Sequence, residues 1–341
     1  MLYLQGVCNE AIKVIYDMVN IKDILKSKEY DEVNSILRLA GSLGKEEGVE
    51  VYVVGGFVRD ILMNNPVNDI DLMTVGEGIP FAQKLASKLG KEKIVAFEKF
   101  GTALIPGKNF QIEVATARKE AYDSDSRKPS DIIFTDLKGD LRRRDFTINA
   151  MALDISESNF GELTDPFGGI ADIKKKVIKT PLNPNETFSE DPLRMMRAAY
   201  FASKLGFKID KNCRKSIQDN VSRISIVSKE RIRDEFIKIL KTKKPSIGLI
   251  ILQKTGLMEI VFPEIHVMYG MNQTSEWHHK DIFAHTMQVV DNAALLSDKM
   301  EIRFAALVHD IAKPNTRRID KRKGYTFHGH DAVGEKMLNV V

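Results

Sequence analysis

Residues 50–72 read EVYVVGGFVRDILMNNPVNDIDL, and the head of the molecule is built around them. A β-branched segment, Val51 to Val54, ends in Gly55 and Gly56, the pattern of a buried strand feeding a tight turn. FVRDILM then has helical character, and DIDLMTV returns to a strand. Successive strand residues point to opposite faces, so Asp69 and Asp71 share one face while Ile70 and Leu72 point into the core. Carboxylates held that close repel unless a cation neutralises them, and hard oxygen donors so arranged suit Mg²⁺. In FQIEVATA, residues 110–117, Ile112 and Val114 alternate with Gln111 and Glu113, so Glu113 is a third acid able to share the polar face. Such a trio suits a two-metal site that activates an attacking hydroxyl and steadies a leaving pyrophosphate.

A DxD pair alone also fits an exposed strand edge, and a GG pair alone is weak. Their combination is specific. Gly55 and Gly56 lie between a strand and a helix start, where bare amides and the positive helix end approach a triphosphate, and Arg59 follows about one turn later as a phosphate-binding or structural cation.

Outward from this run, residues 22–47 read as helical, PFAQKLASKLG as a helix, and KIVAFEKFGTALIP with FQIEVATAR as paired strands. A mixed α/β head results. From Pro181 the strand signals stop, and DPLRMMRAAYFASKLGF, NCRKSIQDNVSRIS, SKERIRDEFIKILK and PSIGLIILQKTGLMEIVF are all helical in pattern. A last block, from about residue 277, holds six of the seven histidines and is helical again. The fold class expected is therefore α+β, with four parts: a helical extension over 1–47, a head over 48–180, a neck and body over 181–265, and a helical block over 266–341.

At 341 residues and 43% hydrophobic content the chain is globular and suits two or three domains. The first twenty residues contain no unbroken apolar run of the kind a signal or membrane segment needs. Two scattered cysteines, Cys8 and Cys213, fit a reducing cytoplasm and no membrane. Net charge is only +4, but Arg142 to Arg144, Lys174 to Lys176, and Lys241, Lys243 and Lys244 form knots that suit a phosphate backbone, or equally a solvated face.

The ordered motifs GGFVRD with DIDL, RRRDFTINAMAL, LTDPFGGIADI, EDPLRMMRAAYFASKLGF and SKERIRDEF resemble those of the bacterial CCA-adding tRNA nucleotidyltransferases and poly(A) polymerases, of the polymerase-β-like superfamily. The likeness runs over about residues 50–265. It implies a nucleotidyltransferase head and Asp69 and Asp71 as Mg²⁺ ligands, with Glu113 as a third catalytic acid. It further implies that Gly55, Gly56, Arg59, Arg143, Arg144, Asp145, Asn149, Glu190, Asp191, Arg194 and Arg197 bind the nucleotide. Asp145 can accept a hydrogen bond from a ribose 2′-hydroxyl, which a deoxynucleotide lacks. LTDPFGGIADI matches the segment joining head and neck, with freedom at Gly168 and Gly169. The implied partners are a tRNA 3′ end, CTP and ATP, and the implied activity is template-independent CCA addition; CC-adding, A-adding and poly(A)-adding enzymes share the motifs.

EDPLR also carries a chemical argument. With Ser189 as N-cap and Pro192 in the first turn, Glu190, Asp191 and Arg194 fall near one another at helical spacing. Cytosine and adenine present an amino donor beside a ring-nitrogen acceptor, whereas uracil and guanine present the reverse. An aspartate acceptor beside an arginine donor reads C and A and rejects U and G. An isolated DxxR would otherwise be an ordinary salt bridge.

Between Glu113 and Asp145, the loop residues Asp125, Arg127 and Lys128 keep the basic, proline-terminated pattern seen in CCA-adding relatives, with a lysine where many have a second arginine. At the other end, His285 in FAHTM and His309 with Asp310 in LVHDIAKP resemble the HD phosphohydrolase signature, implying a second divalent metal. That signature needs a further acid beyond FHGHD, and Asp331 falls too early for it, so the HD-like block is expected to be incomplete. The competing reading is an HD phosphohydrolase whose head serves only to recognise RNA.

Overall fold

The computed structural model describes residues 21–67, 69–107, 110–122, 129–272, 281–321 and 324–338. The chain forms two compact units. Of the described residues, the first holds those up to Lys175 together with Lys179–Pro181, and the second holds Lys176–Ile178 and those from Leu182 on.

The first unit is a seven-stranded mixed sheet ordered β3-β4-β5-β2-β1-β8-β9. Its strands are β1 (Glu50–Val54), β2 (Asp69–Val75), β3 (Val95–Phe97), β4 (Thr102–Ile105), β5 (Gln111–Thr116), β8 (Ala152–Asp154) and β9 (Leu163–Thr164). The separate hairpin of β6 (Arg118–Tyr122) and β7 (Pro129–Phe134) carries the loop tip, whose Asp125, Arg127 and Lys128 lie outside the described residues. In β2, Ile70, Leu72 and Thr74 are buried and alternate with part-exposed Asp71 and Val75, as a period-two pattern requires. Met73 breaks the alternation: it is buried on the acid-bearing face, with Val54, Ala117, Leu141 and Ala152. The opposite face holds the main core.

The extension expected to be one helix is a short turn, Ile21–Ile24, followed after Lys28–Tyr30 by the long helix Asp31–Glu47. Val33, Leu37, Ala40 and Leu43 recur at helical spacing and join Val53, Ile70 and Leu85 in one core cluster. The helix stops where Gly48 adopts a left-handed conformation and its N–H caps Gly44 and Lys45.

The second unit is helical. Helix Leu193–Leu205 packs against Lys229–Leu240 and Pro245–Thr255, and the latter packs against Ile282–Leu296. Buried Arg303 donates to the carbonyls of Leu240 and Thr242 at 2.8 and 2.9 Å and to Ser297 at 2.9 Å, stitching the body helices to the histidine-rich block. Two short ladders were not legible in the apolar pattern: Val177–Ile178 pairs in parallel with Lys208–Ile209, and Arg318–Asp320 pairs antiparallel with Gly324–Thr326. Each strand is two or three residues long, too short to show a period. Among the described residues no helix is long and apolar enough to cross a membrane.

Because Leu37 is fully buried in the head core, Leu37→Ala should destabilise the head by about 2–5 kcal/mol in denaturant titration. A loss under about 0.5 kcal/mol, the range of ordinary surface substitutions, would mean that the helix is an appendage.

Candidate active site

β2 and β5 pair in parallel with Asp69 opposite Gln111 and Asp71 opposite Glu113. That register brings the three predicted acids to one face. Asp69 and Glu113 are exposed and Asp71 is half-buried. Burial first, then the charge of Glu113 and of Asp69, push Asp71 up to about 6, against the opposing pull of Arg144 and Arg59. A crowded, acid-only donor set of this kind fits a divalent cation, whose charge would relieve the repulsion.

The glycine turn adjoins the acids. Gly55 has φ +74°, and a Cβ there would sit 2.9 Å from Arg144 Nη1 and 3.4 Å from Asp71 Oδ2. Only glycine combines that backbone with so close an approach. Gly56 opens the helix Gly56–Leu62. Arg59, in that helix, is 3% exposed: it grips Asp60 through Nε at 3.0 Å and Nη2 at 2.7 Å, and its Nη1 donates to Asn149 Oδ1 at 2.6 Å. These contacts fit the second of its two expected roles, a structural cation. Asn149 in turn donates to Asp145 Oδ1 at 3.0 Å, which also accepts the Phe146 N–H at 2.8 Å. The predicted ribose-reading carboxylate is thus fixed by two buried side chains, Asn149 directly and Arg59 behind it, and by one backbone amide.

Arg143 and Arg144 both hold Asp140, a residue to which the sequence reading gave no role. Gly169, expected to supply freedom, is packed: a Cβ there would lie 2.3 Å from the Thr147 carbonyl. Asp165 clamps the same turn by accepting the Gly169 and Ile170 N–H groups at 2.7 and 2.9 Å.

In the second unit, the expected single helix from Ser189 is corrected. Helix Pro184–Glu190, capped by Asn183, ends at Glu190; Asp191 is extended, and a new helix, Leu193–Leu205, begins after Pro192. A residue before proline is driven out of the helical region, which is why the break falls at Asp191. Asp191 Oδ1 accepts the Leu193 N–H at 3.2 Å. Arg194 is buried, lies 3.7 Å from Glu190 and donates to the Thr187 carbonyl at 3.4 Å. Two partners were missed: Arg231 stands 3.9 Å from Asp191, and buried Glu235 lies 3.9 Å from Arg197. Both are in the SKERIRDEF motif, one helical turn apart, a spacing that could have suggested them.

Among the described residues, His285, His309 and Asp310 bring donor atoms within 4.8 Å of one another. Asp310 is buried; burial alone would raise it, but His309 and Lys313 hold it at about 2, and the same bond raises His309. Lys313 donates to Asp310 Oδ2 at 2.8 Å. His330 Nε2 lies 3.6 Å from Asp310 Oδ1, a neighbour the sequence reading did not single out although the HGH triplet displayed it.

A mixed sheet presenting in-register acids beside a glycine turn, followed by a helical body, defines a nucleotidyltransferase. Three family models match in the same order: the poly(A) polymerase head domain over residues 51–179, the probable RNA- and SrmB-binding site of polymerase A over 206–269, and the HD domain over 282–339. The multifunctional CCA protein of Shewanella frigidimarina (strain NCIMB 400) is 35% identical over 308 residues, covering 86% of this chain and 68% of that protein. That of Vibrio parahaemolyticus (serotype O3:K6, strain RIMD 2210633) is 36% identical over 276 residues, covering 78% and 64%. A solved tRNA nucleotidyltransferase complexed with a primer tRNA and an incoming ATP analog superposes with a TM-score of 0.64 at 31% identity, over 79% of this chain and 75% of that one. A CCA-adding enzyme in apo form II gives a TM-score of 0.70 at 29% identity, over 85% and 67%. The chain belongs to the multifunctional CCA protein family of tRNA nucleotidyltransferases, whose chemistry is metal-dependent, and it spans about two thirds of the length of these curated relatives.

Asp71 gives a pH test of the acid cluster. Its folded value of about 6 exceeds the ordinary 3.8, so the stability tied to its proton is complete below about pH 4 and is lost as pH rises through 6. In metal-free buffer Asp71→Asn should therefore be about 2–3 kcal/mol more stable than the parent at pH 7, a gap that closes near pH 4. Equal stability of the two at both pH values in denaturant titrations would refute the crowding.

Proposed function

We propose that this chain adds CMP and AMP from CTP and ATP to the 3′ end of tRNA without a template, releasing pyrophosphate, and does so in the cytoplasm. The observation that carries the reading is the Asp71–Glu113 register beside Gly55 and Arg144, in a chain of this family. The RNA 3′-oxygen forms a bond to the α-phosphorus of the nucleotide as the bond to the β-phosphate oxygen breaks. Asp69, Asp71 and Glu113 would hold Mg²⁺, which when bound supplies Lewis acidity at the hydroxyl and the leaving group. Arg143 and Arg144 meet the triphosphate, and Asp145, set by Asn149 and Arg59, accepts from the ribose 2′-hydroxyl. Asp191 and Arg194 read the base edge, with Glu190 and Arg197 beside them. In this division of labour residues 1–47 brace the head, 48–180 bind nucleotide and metal, 181–265 read base and RNA, and 266–341 form the HD-like block.

The ligand-like closure of His285, His309 and Asp310 supports a second divalent metal there and a phosphohydrolase activity alongside nucleotide addition.

Radiolabelled nucleotide addition to tRNA lacking its CCA end tests the reading, with CTP alone, ATP alone and both separating CCA from CC, A and poly(A) addition. Asp69→Ala or Asp71→Ala should abolish both additions while tRNA binding stays nearly intact, since the role proposed for these acids is metal chemistry and not backbone contact. Turnover near that of the parent would remove the metal assignment.

Base choice is tested separately by Arg194→Ala. A lost charged hydrogen bond is worth roughly 1.5–3 kcal/mol, so discrimination of CTP and ATP over UTP and GTP should fall by about one to two powers of ten in kcat/KM. A uniform drop for all four nucleotides would make the EDPLR pair a structural salt bridge.

A further inference from the structure

We infer that Asp140 is a positioning residue that holds Arg143 and Arg144 in the orientation that receives the nucleotide triphosphate, an inference that rests on the nucleotidyltransferase reading of the head. Asp140 lies in the helix Leu137–Arg142, whose N-terminus is capped by Asp136 accepting the Gly139 N–H at 2.8 Å. Its Oδ1 accepts from Arg143 Nε at 3.0 Å and Nη2 at 2.6 Å. Its Oδ2 accepts from Arg144 Nε at 3.1 Å and Nη2 at 2.9 Å. One carboxylate thus binds two guanidinium forks side-on, a geometry that lysine could not replace.

An ordinary helix ion pair at these spacings sits in solvent and fixes nothing. Here the carboxylate is 1% exposed while the arginines are 22% and 20% exposed, so the anion is the buried anchor and the cations reach outward from it. Gripping Arg144 by its Nε and Nη2 edge delivers Nη1 to the glycine turn, 2.9 Å from where a Gly55 Cβ would stand, with Asp71 Oδ2 3.4 Å from the same point. The buried anion is also what lets two guanidiniums sit together: without it they repel and their long side chains splay. Burial pushes Asp140 up, but Arg144 and Arg143 outweigh it and hold the group below the usual carboxylate range, so the anchor stays charged. The triad carries one net positive charge at the turn, and the triphosphate it would receive is the same in CTP and ATP. Its effect must be equal for CTP and ATP.

The test uses the full chain and Asp140→Asn, which keeps the volume but loses the charge and one fork. Binding of CTP and of ATP with magnesium, measured by calorimetry without RNA, should weaken by about ten- to a hundredfold for both nucleotides, the range of lost charge-assisted hydrogen bonds. KM in tRNA extension should rise in parallel, with kcat at saturation little changed. A merely structural role would lower the melting temperature and the active fraction, hence the apparent kcat, and leave KM and the binding constant alone; that outcome overturns the inference. Arg144→Ala combined with Asp140→Asn should bind nucleotide no more weakly than Arg144→Ala alone, because one acts through the other, and independent, multiplying losses would also overturn it. If Asp140→Asn does not fold, Asp140→Glu keeps the charge but displaces both forks by one methylene, and unchanged affinity in that folded variant would be equally decisive. A parent chain that binds nucleotide but extends no RNA would refute the proposed function while leaving the Asp140 comparison readable in the binding arm.

Discussion

The parallel pairing of β2 with β5 is the constraint on which the head's chemistry rests. With Asp71 opposite Glu113, the acids of two sequence-distant strands share a face, and Ile70, Leu72, Ile112 and Val114 share the other. A slip of one residue would turn Glu113 into the core and expose Ile112 and Val114, so the hydrophobic core itself enforces the register. Core packing and acid placement are therefore one requirement. The long helix Asp31–Glu47 contributes to both, because it covers the apolar face whose burial holds the register.

Placing carboxylates this close has an electrostatic cost that the surrounding residues answer in different ways. Asp71 is pushed up to about 6 by burial and its acid neighbours, against the pull of Arg144 and Arg59. Asp140 is more deeply buried yet stays ionised, because two arginines enclose it. Arg59 is buried too, neutralised by Asp60 and spent on Asn149. The basic residues around the turn thus divide into one that braces Asn149 and, through it, Asp145, and two that share the anchor Asp140.

In the second unit the same principle appears as backbone geometry. Pro192 breaks the helix at Asp191, and the break turns that carboxylate toward Arg231 and the first amide of the next helix. The histidine block is fastened to the body by Arg303, whose guanidinium satisfies carbonyls at the ends of two helices and would be costly to bury otherwise.

Much of this was legible in the linear pattern. Period-two alternation put Asp69 and Asp71 on one face, GGFVRD marked the turn, and His309 with Asp310 marked the histidine cluster, because each depends on neighbours within a few residues. What the sequence could not fix was anything set by long-range pairing or by the competition between local signals. Ser189 looked like a cap, but Asn183 and Pro184 started the helix earlier and Pro192 ended it. Asp140, Arg231, Glu235 and His330 read as ordinary charged or polar residues: the near-complete burial of Asp140 and Glu235, and the approach of Asp191 to Arg231 and of Asp310 to His330, are tertiary facts. By itself the sequence determined which residues carry acid, base and fork. The tertiary structure alone decided which of them meet, since the energy of a buried charge depends on what surrounds it and not on its position along the chain.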